Sequence, residues 1–317
     1  MRVFLTGGTG FIGGEVARRL RDRGDEVVAL VRNPAKATNL SDCELVRGDL
    51  SDDTAIRAGI EGCDAVVHGA AVYEVGIPAA ARPAMREANV GGTSRVLKAA
   101  LESGVKRAVY VSTVAVFGNT KGKVADETSG HSTGEFTSYY EQTKVEAHAV
   151  AQSLAAKGLP LVTVQPGVVY GPADTSEIGG LFDRLLAGKL PLLPFPKMGI
   201  TPVHRDDVVS GILLALDKGT PGQSYVLAGA PTTMADVIGT LARVAGKRPP
   251  RGAAPTWLLK GLAPFGRIVG PVMGFPPNMR ELITSSDGVT FWARSDKAQS
   301  ELGWTYRPLD EGLKTLL

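Results

Sequence analysis

The chain has 317 residues, 44% hydrophobic and 21% charged, with a net charge of +3 and a pI near 8.8. That is an ordinary globular composition, large enough for one big α/β domain or a nucleotide domain with an added lobe, and its scattered basic residues predict no nucleic-acid partner. Two cysteines cannot frame a disulfide scaffold, no basic-then-apolar leader precedes the first strand pattern, and no apolar run reaches the ~18 residues of a membrane span; the expectation is a cytoplasmic protein with free thiols and no membrane partner.

In chain order, short β-branched runs at 3–6, 26–31, 44–48, 65–70, 107–112 and 160–166 read as strands, with helical patterns at 11–23, 52–60, 84–103 and 138–157 between them. Strand, helix, strand, repeated, predicts an α/β fold with a doubly wound parallel sheet, and the nearly continuous apolar runs suit strands buried on both faces. After Pro166 the pattern changes. Glycine and proline become frequent, as in GKLPLLPFPKMG (188–199) and GKRPPRGAAP (246–255), yet a strand at 223–228 and helices near 176–187, 205–217, 232–245 and 309–317 remain readable.

TGGTGFIG (6–13) follows a strand and opens a helix. Gly7, Gly10 and Gly13 permit a tight turn and a close backbone approach to a pyrophosphate, while the helix start offers N–H groups to that anion. At the end of the second strand, where a dinucleotide site with a free ribose usually has an acid, this chain has Arg32, with Lys36 close behind. A carboxylate repels a 2′-phosphate and a guanidinium pairs with one, so NADP is expected over NAD. The bland alternative is two solvated surface cations.

SYYEQTK (138–144) sets two tyrosines before a lysine. On a helix, residues four apart share a face, so Tyr140 meets Lys144 and Tyr139 meets only Thr143. A phenol titrates near pH 10, and an adjacent ammonium favours its phenolate; Tyr140 is thus a candidate acid or base for a carbonyl–alcohol pair, with Lys144 also in reach of a nicotinamide ribose. VSTVAVFG (111–118) ends the fifth strand with two hydroxyls, Ser112 and Thr113, at the sheet edge where ligands bind in open α/β folds.

These motifs together resemble the extended short-chain dehydrogenases/reductases, the NAD-dependent epimerase/dehydratase superfamily. The resemblance covers nearly the whole chain and implies a Rossmann-type fold. TGGTGFIG matches the family's glycine motif, which adds Phe11 and Ile12 to the cofactor residues. GDL (48–50) resembles the adenine segment and implicates Asp49 and Leu50. HGAA (68–71) resembles the stretch along the cofactor, with Gly69, Ala70 and Ala71. NVGGT (89–93) implies that Asn89 supports the active site, by holding a water near Lys144. Counting back from the terminal FG of VSTVAVFG selects Thr113 over Ser112 as the catalytic hydroxyl, beside Tyr140 and Lys144. PGVVYGP (166–172) resembles the segment folding over the nicotinamide, with Pro166 and Val169. VHRDDVV (203–209) and SDKAQSELGW (295–304) also match.

The division expected from this is a dinucleotide-binding domain over 1–166, with pieces near 201–228 returning to it, and a mainly substrate-binding lobe over 167–317. Within the family, three features favour the branch of dihydroflavonol reductases and hydroxysteroid dehydrogenases over nucleotide-sugar epimerases and dehydratases with tightly held NAD. Gln165 replaces an arginine; PLLPFPKMGITPVH (191–204) offers a diphosphate only Lys197; and Arg32 suits NADP. The expectation is a reversible NADP-dependent reduction of a ketone or aldehyde on a fairly hydrophobic small molecule. A non-catalytic NADP sensor is disfavoured by the retained Tyr140 and Lys144. Tyr73, after the cofactor segment, is a weak substrate candidate along with Thr113. The resemblance also implies a possible homodimer through helices 84–103 and 138–157.

Other polar residues read as structural. His68, His131, His148 and His204 show no metal-ligand spacing, so no metal is expected. His68 reads as packed beside the cofactor segment, Asp206 and Asp207 as helix-capping acids, and Asp126 and Glu127 as solvated charge in the loop 123–133.

Overall fold

A computed structural model describes residues 1–131, 135–266 and 275–317. The first half forms β1 (Arg2–Thr6), α1 (Gly13–Asp22), β2 (Glu26–Val31), β3 (Glu44–Arg47), α2 (Asp53–Ile60), β4 (Ala65–His68), α3 (Arg82–Arg86), α4 (Gly92–Glu102), β5 (Arg107–Val111), α5 (Tyr139–Ala156) and β6 (Leu161–Pro166). The second half supplies β7 (Val168–Tyr170), α6 (Glu177–Leu186), β8 (Gly199–Ile200), β9 (Pro202–His204), α7 (Arg205–Lys218), β10 (Ser224–Leu227), β11 (Thr232–Thr233) and α8 (Met234–Val244). It ends with α9 (Thr256–Leu262), α10 (Met279–Ser286), α11 (Asp296–Leu302) and α12 (Leu309–Lys314).

Seven strands form one parallel sheet in the order β10-β6-β5-β4-β1-β2-β3, with β10 returning from the second half to pair with β6. This is a Rossmann-type doubly wound sheet, and its apolar runs are buried on both faces. Val3, Leu5, Val27 and Ala29 pack on one side against Val16 and Leu20 of α1 and Val208 and Ile212 of α7. Phe4 and Val28 pack on the other with Ile56, Ile60, Leu97 and Ala151 of α2, α4 and α5. The strand order reverses between β1 and β4, so the β1–α1 turn and the ends of β4, β5 and β6 converge on one edge.

The helix expected over 84–103 is three pieces. A π-helical turn at Glu87–Gly91 separates α3 from α4 and buries Asn89. Such a turn carries an extra residue, which turns a side chain off the regular helical face. The periodicity of the second half also missed α9, α10 and α11, because proline and glycine around them leave stretches of only seven or eight residues.

The smaller lobe has its own core, with Phe182 and Leu185 of α6, Ile200, Val237 and Leu241 of α8, and Leu313 of α12. The two Pro- and Gly-rich segments of the sequence pair with each other: the Leu193 N–H donates to the Gly252 carbonyl at 2.9 Å, and the Ala254 N–H to the Leu193 carbonyl at 2.8 Å. No described helix is long and apolar enough to cross a membrane. Of the loop 123–133, residues 132 and 133 lie outside the described residues.

Candidate active site

The glycine loop is built so that side chains cannot enter it. Gly7 sits at φ 82°, and a Cβ there would come within 2.9 Å of the Ala70 nitrogen. A Cβ on Gly13 would overlap the Gly7 carbonyl oxygen. Gly10 closes the turn by donating to that same carbonyl at 2.9 Å. Ile12, at the helix start, gives no side-chain cap to the first turn of α1, which leaves that turn to an external anion. The loop therefore fits a dinucleotide pyrophosphate.

Gly69 and Ala70 lie against the loop, with the Ala70 N–H donating to Thr6 Oγ1 at 3.2 Å. Ala71 follows and is exposed. Asn39, which the sequence did not single out, donates to the Gly8 carbonyl at 2.9 Å and braces the loop from the β2 side. Arg32 is exposed after β2, near enough to Asp49 to help lower its carboxyl pKa, although the larger cause is the hydrogen bonding from Ser51. Arg32 and Asp49 thus share one end of the site, and Lys36 ends the turn Pro34–Lys36 capped by Asn33. Leu50 packs on Gly92 of α4, where a Cβ would come within 2.7 Å of the Leu50 Cβ.

Across the cleft, Pro166 ends β6 and Val169 pairs with Val203. Phe11 meets the lobe here. The Arg205 guanidinium lies 5.2 Å from its ring centre and donates to the Pro172 carbonyl at 3.2 Å.

At the end of β5 the two hydroxyls separate. Ser112 is buried and joined to His148 Nδ1 at 3.0 Å, so it serves the packing of α5 on the sheet. Thr113 leaves the strand, accepts from the Ala115 N–H at 3.2 Å, and lies near enough to the Tyr140 phenol to pull its pKa down.

The electrostatics differ from the expectation. Burial raises the Tyr140 pKa well above the ordinary phenol value; the charges that Tyr73 and Tyr110 would carry add to this, and only the Thr113 hydrogen bond pulls it down. Lys144 is buried on the same helix, but its ammonium donates to Tyr110 Oη at 3.3 Å and to the Val111 carbonyl at 3.2 Å. The lysine is thus drawn to the strand, and does not lower the phenol as i,i+4 spacing suggested. Tyr110 was missed, though its place in β5, two residues before Ser112, sets it on the face that α5 covers. It stacks on His68 at 5.7 Å; that imidazole is enclosed between Thr6 and Thr93 and held neutral by burial, at about 3.

The Asn89 amide pairs with the Val72 backbone, accepting at 2.7 Å and donating at 3.0 Å, and reaches Thr143 Oγ1 at 3.0 Å. These bonds make it a brace between the cofactor segment and α5. The brace sets Tyr73 edge-on to Tyr140, with ring centres 4.8 Å apart. Tyr73 is 53% exposed, yet protein crowds its hydroxyl; burial raises it, with Glu177 and Asp174 adding.

Tyr139 points elsewhere. Its N–H donates to Glu281 Oε1 at 2.7 Å, and Arg82 lies 5.0 Å over its ring and donates to Glu281 Oε2 at 3.0 Å. Glu281, on α10, thereby ties the lobe to the first turn of the tyrosine helix. No local pattern reveals a contact spanning more than a hundred residues.

Several polar residues prove structural in ways that differ from their sequence reading. His204, and not an aspartate, caps α7, accepting from the Asp206 N–H at 3.2 Å. Asp207 holds Arg307 in a two-oxygen pair at 2.8–3.1 Å. Asp126, still partly exposed, pairs with Arg294 at 2.5 Å, and Glu127 accepts from the Val226 N–H of the edge strand β10 at 2.7 Å. Among the described residues no three His, Cys, Asp or Glu side chains gather as metal ligands.

A parallel sheet with this glycine loop defines a Rossmann-type dinucleotide-binding protein. The chain belongs to the NAD dependent epimerase/dehydratase family, whose model matches residues 3–228. It is 30% identical over 98% of its length to a protein provisionally named dihydroflavonol 4-reductase from Synechocystis sp., covering 92% of that protein. It is also 30% identical to a 3 beta-hydroxysteroid dehydrogenase/Delta 5-->4-isomerase of Mycobacterium tuberculosis, covering 82% of this chain and 75% of that one. Among solved structures, gox2253 superposes with a TM-score of 0.83 at 33% identity, covering 99% of this chain and 96% of that one. A dTDP-glucose 4,6-dehydratase from Streptomyces venezuelae, solved with NAD, gives 0.79 at 26%, covering 99% and 95%. The proteins this chain resembles thus include ones named as reductase, dehydrogenase and dehydratase.

Proposed function

We propose that the protein is an NADP-dependent oxidoreductase that reversibly reduces a ketone or aldehyde on a fairly hydrophobic small molecule. The observation that carries this is the setting of Tyr140, edge-on to Tyr73 at 4.8 Å, kept protonated by burial and with Thr113 near enough to act on its phenol. A neutral phenol donates a proton, which is what a carbonyl oxygen needs as it becomes an alcohol. In this reading Tyr140 donates that proton and Thr113 holds the oxygen in place. Lys144, fixed by Tyr110 and Val111, presents its remaining donor capacity to the cofactor ribose. The exposed edge of Tyr73 lines the substrate side. The bound cofactor supplies the hydride; Arg32 and Lys36 hold its 2′-phosphate and the glycine loop its pyrophosphate. The relatives named as reductase and hydroxysteroid dehydrogenase support the reaction class and the apolar substrate. A homodimer through α4 and α5 in the cytoplasm goes with this reading.

The NAD-bound dehydratase neighbour favours a second reading, a nucleotide-sugar enzyme with retained NAD. Gln165 weighs against it, since it is buried and its Oε1 has no partner among the described residues, where a diphosphate would want a cation. The test is NADPH oxidation with a panel of hydrophobic ketones and aldehydes, run beside Tyr140→Phe. The proposal expects turnover to fall by about 10²–10⁴ in the variant while NADPH binding is kept. Retained turnover in the variant would remove Tyr140 from the chemistry.

A further inference from the structure

We propose that the face formed by α9 and the paired segments 190–195 and 251–254 docks on an anionic lipid surface. Its apolar side chains point outward. Trp257 is 75% exposed, Phe265 61%, Leu192 44% and Leu258 43%, whereas Leu259 between them is buried and anchors α9 on Met279, Leu282 and Ile283 of α10. Leu192 joins this group because its neighbour Leu193 pairs with Ala253, just before α9. Contiguous exposed apolar side chains of this size mark an interaction surface.

Charge selects the occupant. The 44 residues between Asp236 and Glu281 contain seven Lys or Arg and no Asp or Glu, in a chain whose whole net charge is +3. Lys247, Arg248 and Arg251 are exposed on the segment that leads into α9. Lys260 of α9 is balanced by Asp287 at 3.5 Å, whereas those three pair with no carboxylate among the described residues. A tryptophan, a phenylalanine and leucines rimmed by bases suit a bilayer interface with acidic headgroups; a neutral apolar partner would leave the bases unanswered. The lack of a spanning segment predicted no membrane partner, but a surface contact needs none.

The face also adjoins the cleft. Val75, two residues after Tyr73, packs on the α9–α10 core, and the Asn278 N–H donates to the Gly76 carbonyl at 2.9 Å. Lipid docking would thus bring the mouth of the cleft to the phase where an apolar substrate dissolves. That consequence alone rests on the proposed reaction; the docking itself does not.

The test uses the full chain with vesicles of phosphatidylcholine alone, or mixed with phosphatidylglycerol, read by co-sedimentation. Trp257 is a built-in reporter, since Trp304 is buried and Trp292 is bonded to the Thr232 carbonyl. Brominated acyl chains should quench Trp257 only when phosphatidylglycerol is present, and added salt should weaken the effect. Replacing Lys247, Arg248 and Arg251 by Ser should weaken binding about fivefold per residue. Trp257→Ser with Phe265→Ser should abolish sedimentation. NADPH binding by each variant reports its folding apart from any turnover. Equal binding to both vesicle types, or none to either, overturns the proposal. So does a Trp257 shift that grows with protein concentration without vesicles, which would mark the face as a contact between copies.

Discussion

The glycine-loop end and the tyrosine end of the cleft are built on opposite plans. At the first, backbone does the binding and side chains are excluded: Gly7 and Gly13 leave no room for a Cβ against Ala70 and the Gly7 carbonyl. At the second, side chains do the work, and each is held by another from a different element. Thr113 comes from the turn after β5, Tyr140 from α5, and Tyr73 from a loop braced by Asn89. A site made of backbone fails when an atom is added. A site made of side chains fails when a polar atom is removed.

That contrast can be pressed from either end. The largest expected effect is at the tyrosine end. Thr113→Val removes the hydroxyl that meets Tyr140, and reduction should slow by about 10²–10³, the usual cost of one donor to a developing oxyanion. Ser112→Ala should change kcat far less, because Ser112 serves His148. Equal losses at both positions would collapse the distinction drawn at the end of β5. At the glycine end, Gly13→Ala should cost about 1–3 kcal/mol of dinucleotide binding through overpacking, read as a higher Kd with kcat little changed. A variant that binds as tightly as the parent would show that the loop can yield.

The smallest effect belongs to the clamp between the two halves. Glu281→Gln keeps an acceptor for the Tyr139 N–H but removes the charge facing Arg82. Because Arg82 is substantially exposed, the loss in stability should be about 1 kcal/mol, read as a small fall in Tm. If Glu281 positions the tyrosine helix, kcat should fall several-fold and Glu281→Asp should restore part of it. An unchanged kcat with a lowered Tm would reduce the clamp to packing.

The two ends were also unequally legible in the sequence. Gly7, Gly10 and Gly13 could be read directly, because a strand–turn–helix with those glycines is a local pattern whose geometry follows from the chain itself. Tyr140 was singled out by helical spacing, and the two rings have different neighbours, Tyr73 for Tyr140 and Arg82 for Tyr139. The partner of Lys144 was not, since spacing along one helix says nothing about the strand beneath it, and Tyr110 captured the ammonium. Asn89 was visible as a motif residue, but its task depended on a π-helical turn that no periodicity announces. Glu281, Arg205 and Asn39 act across the fold, and each lies in a stretch whose local sequence carries no such signal. The lobe was hardest to read because its short helices are set by tertiary packing around prolines and glycines.

The central claim is an exchangeable NADP, held at one end by Arg32 and used at the other by Tyr140. The most direct test is the cofactor carried by the purified protein, followed by NADP and NAD titrations of the parent and of Arg32→Asp. The account predicts little retained cofactor, a clear preference for NADP, and a shift towards NAD in the variant. Tightly retained NAD, with a preference untouched by Arg32→Asp, would contradict it and put nucleotide sugars first among the substrates to try.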